Sequence, residues 1–242
     1  MFRTSSGRNW ILLLAAVFLL SPGLTPGAGA QDDVADQLKR GEIVASAQEV
    51  AGTSLKRGEV MGVIDAAPEN VWRVITDINS YKYFMPRTLN SMAVAADKLP
   101  LILQKRPDSP EEVERLLGPV PAASTTSRLP GGKYISYLYS HLNFPWPCQN
   151  RWYIIKLLQD ETRAAQHCYH CSWSLVIGNL RENRGEWLLE PFEATRTKVT
   201  YRLLTDPGGS IPEFLVNQGT CTTLPQIINA VKERTDSLRG LK

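Results

Sequence analysis

The sequence predicts an α+β fold: a curved antiparallel β-sheet wrapped round one long C-terminal α-helix, with a hydrophobic cavity between them. Three observations carry this expectation. From Gly132 to Thr205, apolar and polar residues alternate in runs separated by turn signals at hairpin spacing. The final stretch instead repeats at 3, 4, 3, 4 spacing through Phe214, Asn217, Cys221, Leu224, Ile228, Val231, Thr235 and Leu238, a single stripe suited to lie on a sheet. Ahead of both stands strand-like material followed by two short helices.

Taken in order, residues 1–30 read as a secretory signal peptide: Arg3 and Arg8, the apolar run Trp10 to Leu20, then Ala28-Gly29-Ala30 as a small-x-small cleavage site before Gln31. The run is short for a bilayer span, which needs about 20 apolar residues. Residues 31–242 are expected to form one domain, periplasmic or secreted. Gln31 to Arg40 suits a polar helical lead-in, and Glu42 to Ile64 holds strand material broken by Gly52 and Gly58. Pro68 fits a first helical turn, with Glu69 favourably placed for the helix dipole and Val71, Trp72, Ile75 and Ile78 on one face. A second short helix, Asn79 to Phe84, stops before Pro86. Thr88 to Leu103 reads as one or two strands. Residues 107–130, rich in Pro, Ser and Thr around a small helix from Glu111 to Leu117, read as a surface insertion with too few apolar residues for a core. Five strands follow, and Asp206-Pro207-Gly208-Gly209 breaks the sheet before the last helix, whose interior Pro225 predicts a kink. A sheet gripping one helix is the helix-grip architecture, and a curved sheet cannot meet one helix everywhere, hence the cavity.

The whole chain has a formal charge of +3, which falls to +1 once the two signal arginines leave. That balance, with no basic tract, argues against a nucleic-acid partner. Four cysteines, Cys148, Cys168, Cys171 and Cys221, would meet an oxidising compartment, where they allow three full pairings. Cys168 and Cys171 form a C-x-x-C, but they fall in a strand-like run that puts positions three apart on opposite faces, so direct pairing is not expected. Structural, distant-disulfide and redox or metal readings remain for them, the structural one being favoured; Ser172 after Cys171 excludes haem attachment. There is no G-x-S-x-G, no H-E-x-x-H and no Gly-rich phosphate loop, and the histidines are three: His141, His167 and His170.

Four segments resemble the START, coenzyme-Q-binding and polyketide-cyclase superfamily, and START lipid-transfer domains most of all. They are V-I-D-A-A-P-E-N-V-W-R-V-I-T-D from Val63, F-P-W-P-C-Q-N-R-W-Y from Phe144, G-E-W-L-L-E-P from Gly185, and D-P-G-G-S-I-P-E-F-L-V-N-Q from Asp206. The resemblance implies a hydrophobic tunnel between sheet and last helix, holding a lipid, sterol, quinone or aromatic polyketide. Several lipid-transfer members carry an acid and an Arg on facing strands; the matching places here are Leu138 and Leu157, which implies a more apolar tunnel.

The lining follows from alternation. Lys156 marks the outer face of its strand, so Tyr153, Ile155 and Leu157 face in; Arg202 does the same for Val199, Tyr201 and Leu203. Trp187 and Leu189 face in, as do Tyr169, Cys171, Trp173 and Leu175. The candidate ligand-binding set is Phe84, Met85, Leu138, Arg151, Tyr153, Ile155, Leu157, Trp173, Trp187, Tyr201, Phe214, Leu215, Gln218 and Cys221. Arg151 has two readings, a contact to a ligand head group or a salt bridge that ties the strand to a loop, and Asp77 is a capping or turn residue or a general acid. The loops at Asp206 to Ile211 and Phe84 to Thr88 are expected to flank the entrance. The expected function is binding and transfer of a hydrophobic small molecule by a monomer that touches membranes transiently, with no metal or cofactor. The alternative is a cyclase or dehydratase using Tyr153, Tyr201 or Arg151, and a third reading makes the insertion a partner-binding module.

Overall fold

The computed structural model of the protein describes residues 28–120, 126–144, 149–209 and 213–240, with the side chains of the last helix described from Thr222 onward. The signal-peptide run of residues 10–20 lies outside the described residues, as do Cys148, Ser210 and Ile211. Helix α1 (Ala28–Lys39) leads to β1 (Val44–Glu49) and β2 (Lys56–Ile64). Helix α2 (Pro68–Thr76) starts with proline in its first turn and ends at Asp77, whose N–H bonds the carbonyl of Arg73. Asp77 is exposed and serves as a cap. A single 3₁₀ turn joins α2 to the short α3 (Tyr81–Phe84).

Strand β3 (Thr88–Ala93) is followed by helix α4 (Leu99–Lys105), where the sequence suggested a strand, and by α5 (Pro110–Leu117). The apolar run Leu99 to Leu103 is too short for periodicity to separate strand from helix. Pro100 in the first turn, with Leu99 and Ile102 buried three apart on one face, settles it as helix. Ser109 caps α5 by accepting from the N–H of Glu112 at 3.2 Å. Strands β4 (Ser127–Leu129), β5 (Lys133–Leu142), β6 (Arg151–Asp160), β7 (Tyr169–Gly178), β8 (Glu182–Phe192) and β9 (Arg196–Asp206) precede the long α6 (Glu213–Arg239).

The strands form one nine-stranded sheet in the order β1-β2-β9-β8-β7-β6-β5-β3, with β4 also on β5, and every pairing is antiparallel. Its concave face holds the main core, where Leu224, Ile228 and Val231 of α6 meet Val60, Ile64 and Val199 of the sheet and Val71 and Ile75 of α2. Gly62 permits this approach: a Cβ there would stand 2.6 Å from Cγ2 of Ile228. Pro225 lies inside α6.

The convex face is not left to solvent. Trp152 and Ile154, the outward residues of β6, join Tyr139 of β5 in a second core closed by Leu99 and Ile102 of α4 and Val113 and Leu117 of α5. The 107–130 segment therefore corrects its reading as a mere surface insertion, because its helix covers the back of the sheet. Tyr139 donates to Glu114 at 3.0 Å within this layer.

Candidate functional site

The inward residues of each strand follow from register. Leu138 on β5 lies opposite Ile155 on β6, Ser136 opposite Leu157, and Ser140 opposite Tyr153. A bulge between Ile154 and Ile155 shifts the β6–β7 register yet leaves Leu157 beside Trp173. Trp173 faces Gly185, Cys171 faces Trp187, and Trp187 faces Tyr201. Leu138, Ile155, Leu157, Trp173, Trp187 and Tyr201 thus share one concave wall and are buried, while Tyr153, Leu175 and Leu203 point the same way but remain partly exposed. The diagonal neighbours Leu138 and Leu157 make that part of the wall apolar.

The rings are interlocked. Tyr201 stacks on Trp173 with centroids 5.3 Å apart and tilts against Trp187 at 4.3 Å. Such pairs add roughly 0.5–1.5 kcal/mol each beyond area burial. The indole of Trp173 donates to Oδ1 of Asn183 at 2.8 Å, so both polar groups are satisfied inside the wall. Phe84 and Met85 pack on the same core, and Phe84 lies under the guanidinium of Arg234, near the C-terminal end of α6, at 5.9 Å. The side chains of Phe214, Leu215, Gln218 and Cys221 lie outside the described residues.

Arg151 is buried, and its donors point to backbone: Nε to the carbonyl of Pro207 at 2.8 Å, Nη1 to that of Gln149 at 2.8 Å, and Nη2 to that of Gly208 at 3.5 Å. It is a strand-to-loop tie made through carbonyls. Carbonyls of the loop after β9 thus take the place of the carboxylate that a salt bridge would use, and they engage the planar fork of the guanidinium. Gly208 and Gly209 take positive φ values, 67° and 76°, that let this loop turn against the guanidinium.

The far end of the wall is closed by paired acceptors. Glu161 accepts from Nε1 of Trp72 at 2.7 Å and from the hydroxyl of Tyr134 at 2.8 Å. Beside it, Glu69 at the start of α2 pairs with His167, and Trp72 stacks on Tyr169 at 5.2 Å. Several inward polar residues were not anticipated from the sequence: Tyr81, Tyr134, Ser136, Ser140, Gln159 and Asn183. Tyr81 donates to the carbonyl of Ile75 at 2.5 Å, and Gln159 donates to Ser136 at 2.9 Å. The sequence signal for the strand residues was their parity with apolar neighbours, which alternation arguments discard when a side chain is polar.

Burial governs the ionisation of the wall. It pushes the hydroxyls of Tyr81 and Tyr201 well up, raises that of Tyr153, and pushes the thiol of Cys171 up to about 12. Cys171 and Cys168 are both unbridged and buried, and a Cys171 thiol that burial holds protonated is a poor nucleophile. His170 pairs with Glu186 at 2.9 Å. Among the described residues, no group of three or more His, Cys, Asp or Glu could hold a metal, and no helix is long and apolar enough to cross a membrane.

A nine-stranded open antiparallel sheet gripping a long C-terminal helix, with an aromatic wall between them, defines the helix-grip class. The pattern of the family described as "Polyketide cyclase / dehydrase and lipid transport" matches residues 64–232, and the chain belongs to that family. Among solved structures it is similar to the STAR-related lipid transfer protein of Xanthomonas axonopodis, with TM-score 0.59, 21% identity, and coverage of 80% of this chain and 93% of that one. Human STARD10 is similar with TM-score 0.59 and 13% identity over 90% of this chain and 83% of that one. Human StAR-related lipid transfer protein 5 matches with TM-score 0.59 and 10% identity over 88% of this chain and 97% of that one. An uncharacterised protein of Pseudomonas aeruginosa is 33% identical over 89 residues, which span 34% of this chain and 44% of that protein's length.

Proposed function

We propose that the protein is a carrier that binds a hydrophobic small molecule, a lipid, sterol or quinone, between the concave wall and α6, and transfers it outside the cytoplasm. The observation that carries this reading is the wall itself. Tyr153, Leu175 and Leu203 point into the interior with Trp173, Trp187 and Tyr201 yet are not fully covered, while α6 packs on β1, β2, β9, α2 and α3. Apolar surface turned inward but incompletely packed is what a ligand completes. Family membership, and the lipid-transfer names of the similar folds, support the same reading.

Catalysis of the cyclase kind is less well supported. It needs a group that takes a proton. Burial keeps the hydroxyls of Tyr153 and Tyr201 protonated, and the guanidinium of Arg151 is engaged by carbonyls. Contact with a membrane would use Tyr83 and Leu89, 75% and 51% exposed, beside Lys82 and Arg87. Export rests on the signal-peptide pattern of residues 1–30.

Native mass spectrometry of chain purified from exporting cells tests both parts. The expected result is a chain beginning at Gln31 with a co-purifying apolar molecule. A bare protein mass, with no uptake from a panel of lipids, sterols and quinones, refutes the carrier; full-length chain in the cytosol refutes export.

A further inference from the structure

We infer that the ligand is an uncharged amphiphile whose hydroxyl or carbonyl group is read by the interior hydroxyl of Tyr201, with Tyr153 on the same wall; the inference rests on the carrier reading and specifies its substrate class.

Tyr201 is 9% exposed, and its ring is fixed between Trp173 and Trp187. Its hydroxyl has no hydrogen-bond partner among the described residues, unlike Tyr81, which donates to Ile75, and Tyr134, which donates to Glu161. A hydroxyl set in an apolar wall with no partner there is free to pair with a polar group that enters. A group supplied by the ligand would complete it. Tyr153 stands opposite Ser140 across the β5–β6 pairing and packs on the same core as Tyr201. Tyr153 on β6 and Tyr201 on β9 therefore present neutral hydroxyls on one concave wall.

The charge of the wall decides the rest. Among the described inward residues, Arg151 stands at one end of β6 and Glu161 just past the other. Between them the inward residues are apolar or neutral: Ser136, Leu138 and Ser140 on β5; Tyr153, Ile155, Leu157 and Gln159 on β6; Cys171 and Trp173 on β7. The guanidinium of Arg151 is directed at four carbonyls, so it does not neutralise an anion in the interior. Glu161 would repel one. A phosphate or carboxylate head buried here would lose its hydration with no cation in return, which is far more costly than burying a hydroxyl or ketone that accepts from a tyrosine.

Displacement of the fluorophore 1-aminoanthracene from the delipidated chain tests this with four compounds of equal tail: dodecane, dodecanol, dodecan-2-one and dodecyl phosphate. Dodecanol and dodecan-2-one should displace at concentrations at least about tenfold lower than dodecyl phosphate. Tyr201→Phe, which removes one oxygen and keeps the ring, should weaken dodecanol and dodecan-2-one by roughly three- to tenfold, the worth of one neutral hydrogen bond, and leave dodecane within about twofold. Dodecyl phosphate binding as tightly as dodecanol overturns the inference while leaving the carrier intact. So does a Tyr201→Phe variant, with unchanged thermal melting, that shifts all four compounds alike or none. Failure of every compound, dodecane included, to displace a bound fluorophore overturns the carrier reading and this inference with it.

Discussion

Gly185 lies flat beneath the indole of Trp173: a Cβ at Gly185 would stand 2.3 Å from Cζ2 of that ring and 2.1 Å from the carbonyl oxygen of Arg202. The second atom is backbone of β9, which cannot step aside without breaking its register with β8. Gly185→Ala should therefore destabilise the fold by about 3 kcal/mol, at the upper end of overpacking costs. Urea denaturation followed by tryptophan emission checks this, and an unchanged midpoint refutes it.

Covering the back of the sheet is expected to matter for stability and not for binding. Ile102 is fully buried on the convex side with Val113, Trp152 and Ile154. Ile102→Ala should cost about 2–5 kcal/mol through lost burial and the cavity left behind. Its affinity for a bound lipid, measured by fluorescence displacement at low temperature, should stay within about twofold of the parent's, since the variant keeps its folded state there.

The tie made by Arg151 predicts a local effect. Arg151→Gln leaves the carbonyls of Pro207 and Gly208 without their charged donor inside the protein. Loss of hydrogen bonds from a charged group should cost about 2–3 kcal/mol. Hydrogen exchange should rise first at residues 206–209, while β5 to β8 keep their protection. Uniform loss of protection across the sheet would show that the tie supports the whole fold instead.

Acid should destabilise the protein in a defined window. Burial would raise the carboxyl of Asp160, but bonds from Thr162 and the ammonium of Lys133 at 3.1 Å outweigh it and hold the group at about 2, below its ordinary 3.8. A folded-state value below the unfolded one gives stability that is complete above about pH 4 and lost as pH falls toward 2. Glu69, with its His167 bond, and Glu186, with Arg202 and His170, are lowered against the same pull of burial and lose their contribution on the acid side as well. Urea midpoints between pH 5 and pH 2 should fall, and Asp160→Asn should flatten the curve below pH 4; an unaltered slope refutes the assignment.

What could be read from the sequence was set by side-chain period. Tyr153, Ile155 and Leu157 were assigned inward because Lys156 is charged, and they do face the concave core. The same rule left Trp152 and Ile154 outside, and it could not foresee the helices that cover them, because coverage depends on α4 and α5 returning across the back of β5 and β6. Helix α4 itself was hidden in an apolar run with no clear period. Ser140, Gln159 and Asn183 went unseen for a different reason: a polar residue in phase with apolar ones looks like an interruption until its partners, such as Trp173 for Asn183, are in place. Arg151 was legible as a strand-opening residue, but its partners are not a carboxylate: they are the carbonyls of Pro207 and Gly208, distant in sequence.

Because the sheet is open, β1 ends it, with β2 as its one neighbour among the described strands. Such a margin is a ready template for a strand from another molecule. Here the margin reads Val44-Ala45-Ser46-Ala47-Gln48-Glu49, exposed along nearly all its length. Small side chains and a terminal carboxylate give an incoming strand little to interdigitate with. This margin of the unclosed grip is thus a poor template for a stacked, interdigitated sheet.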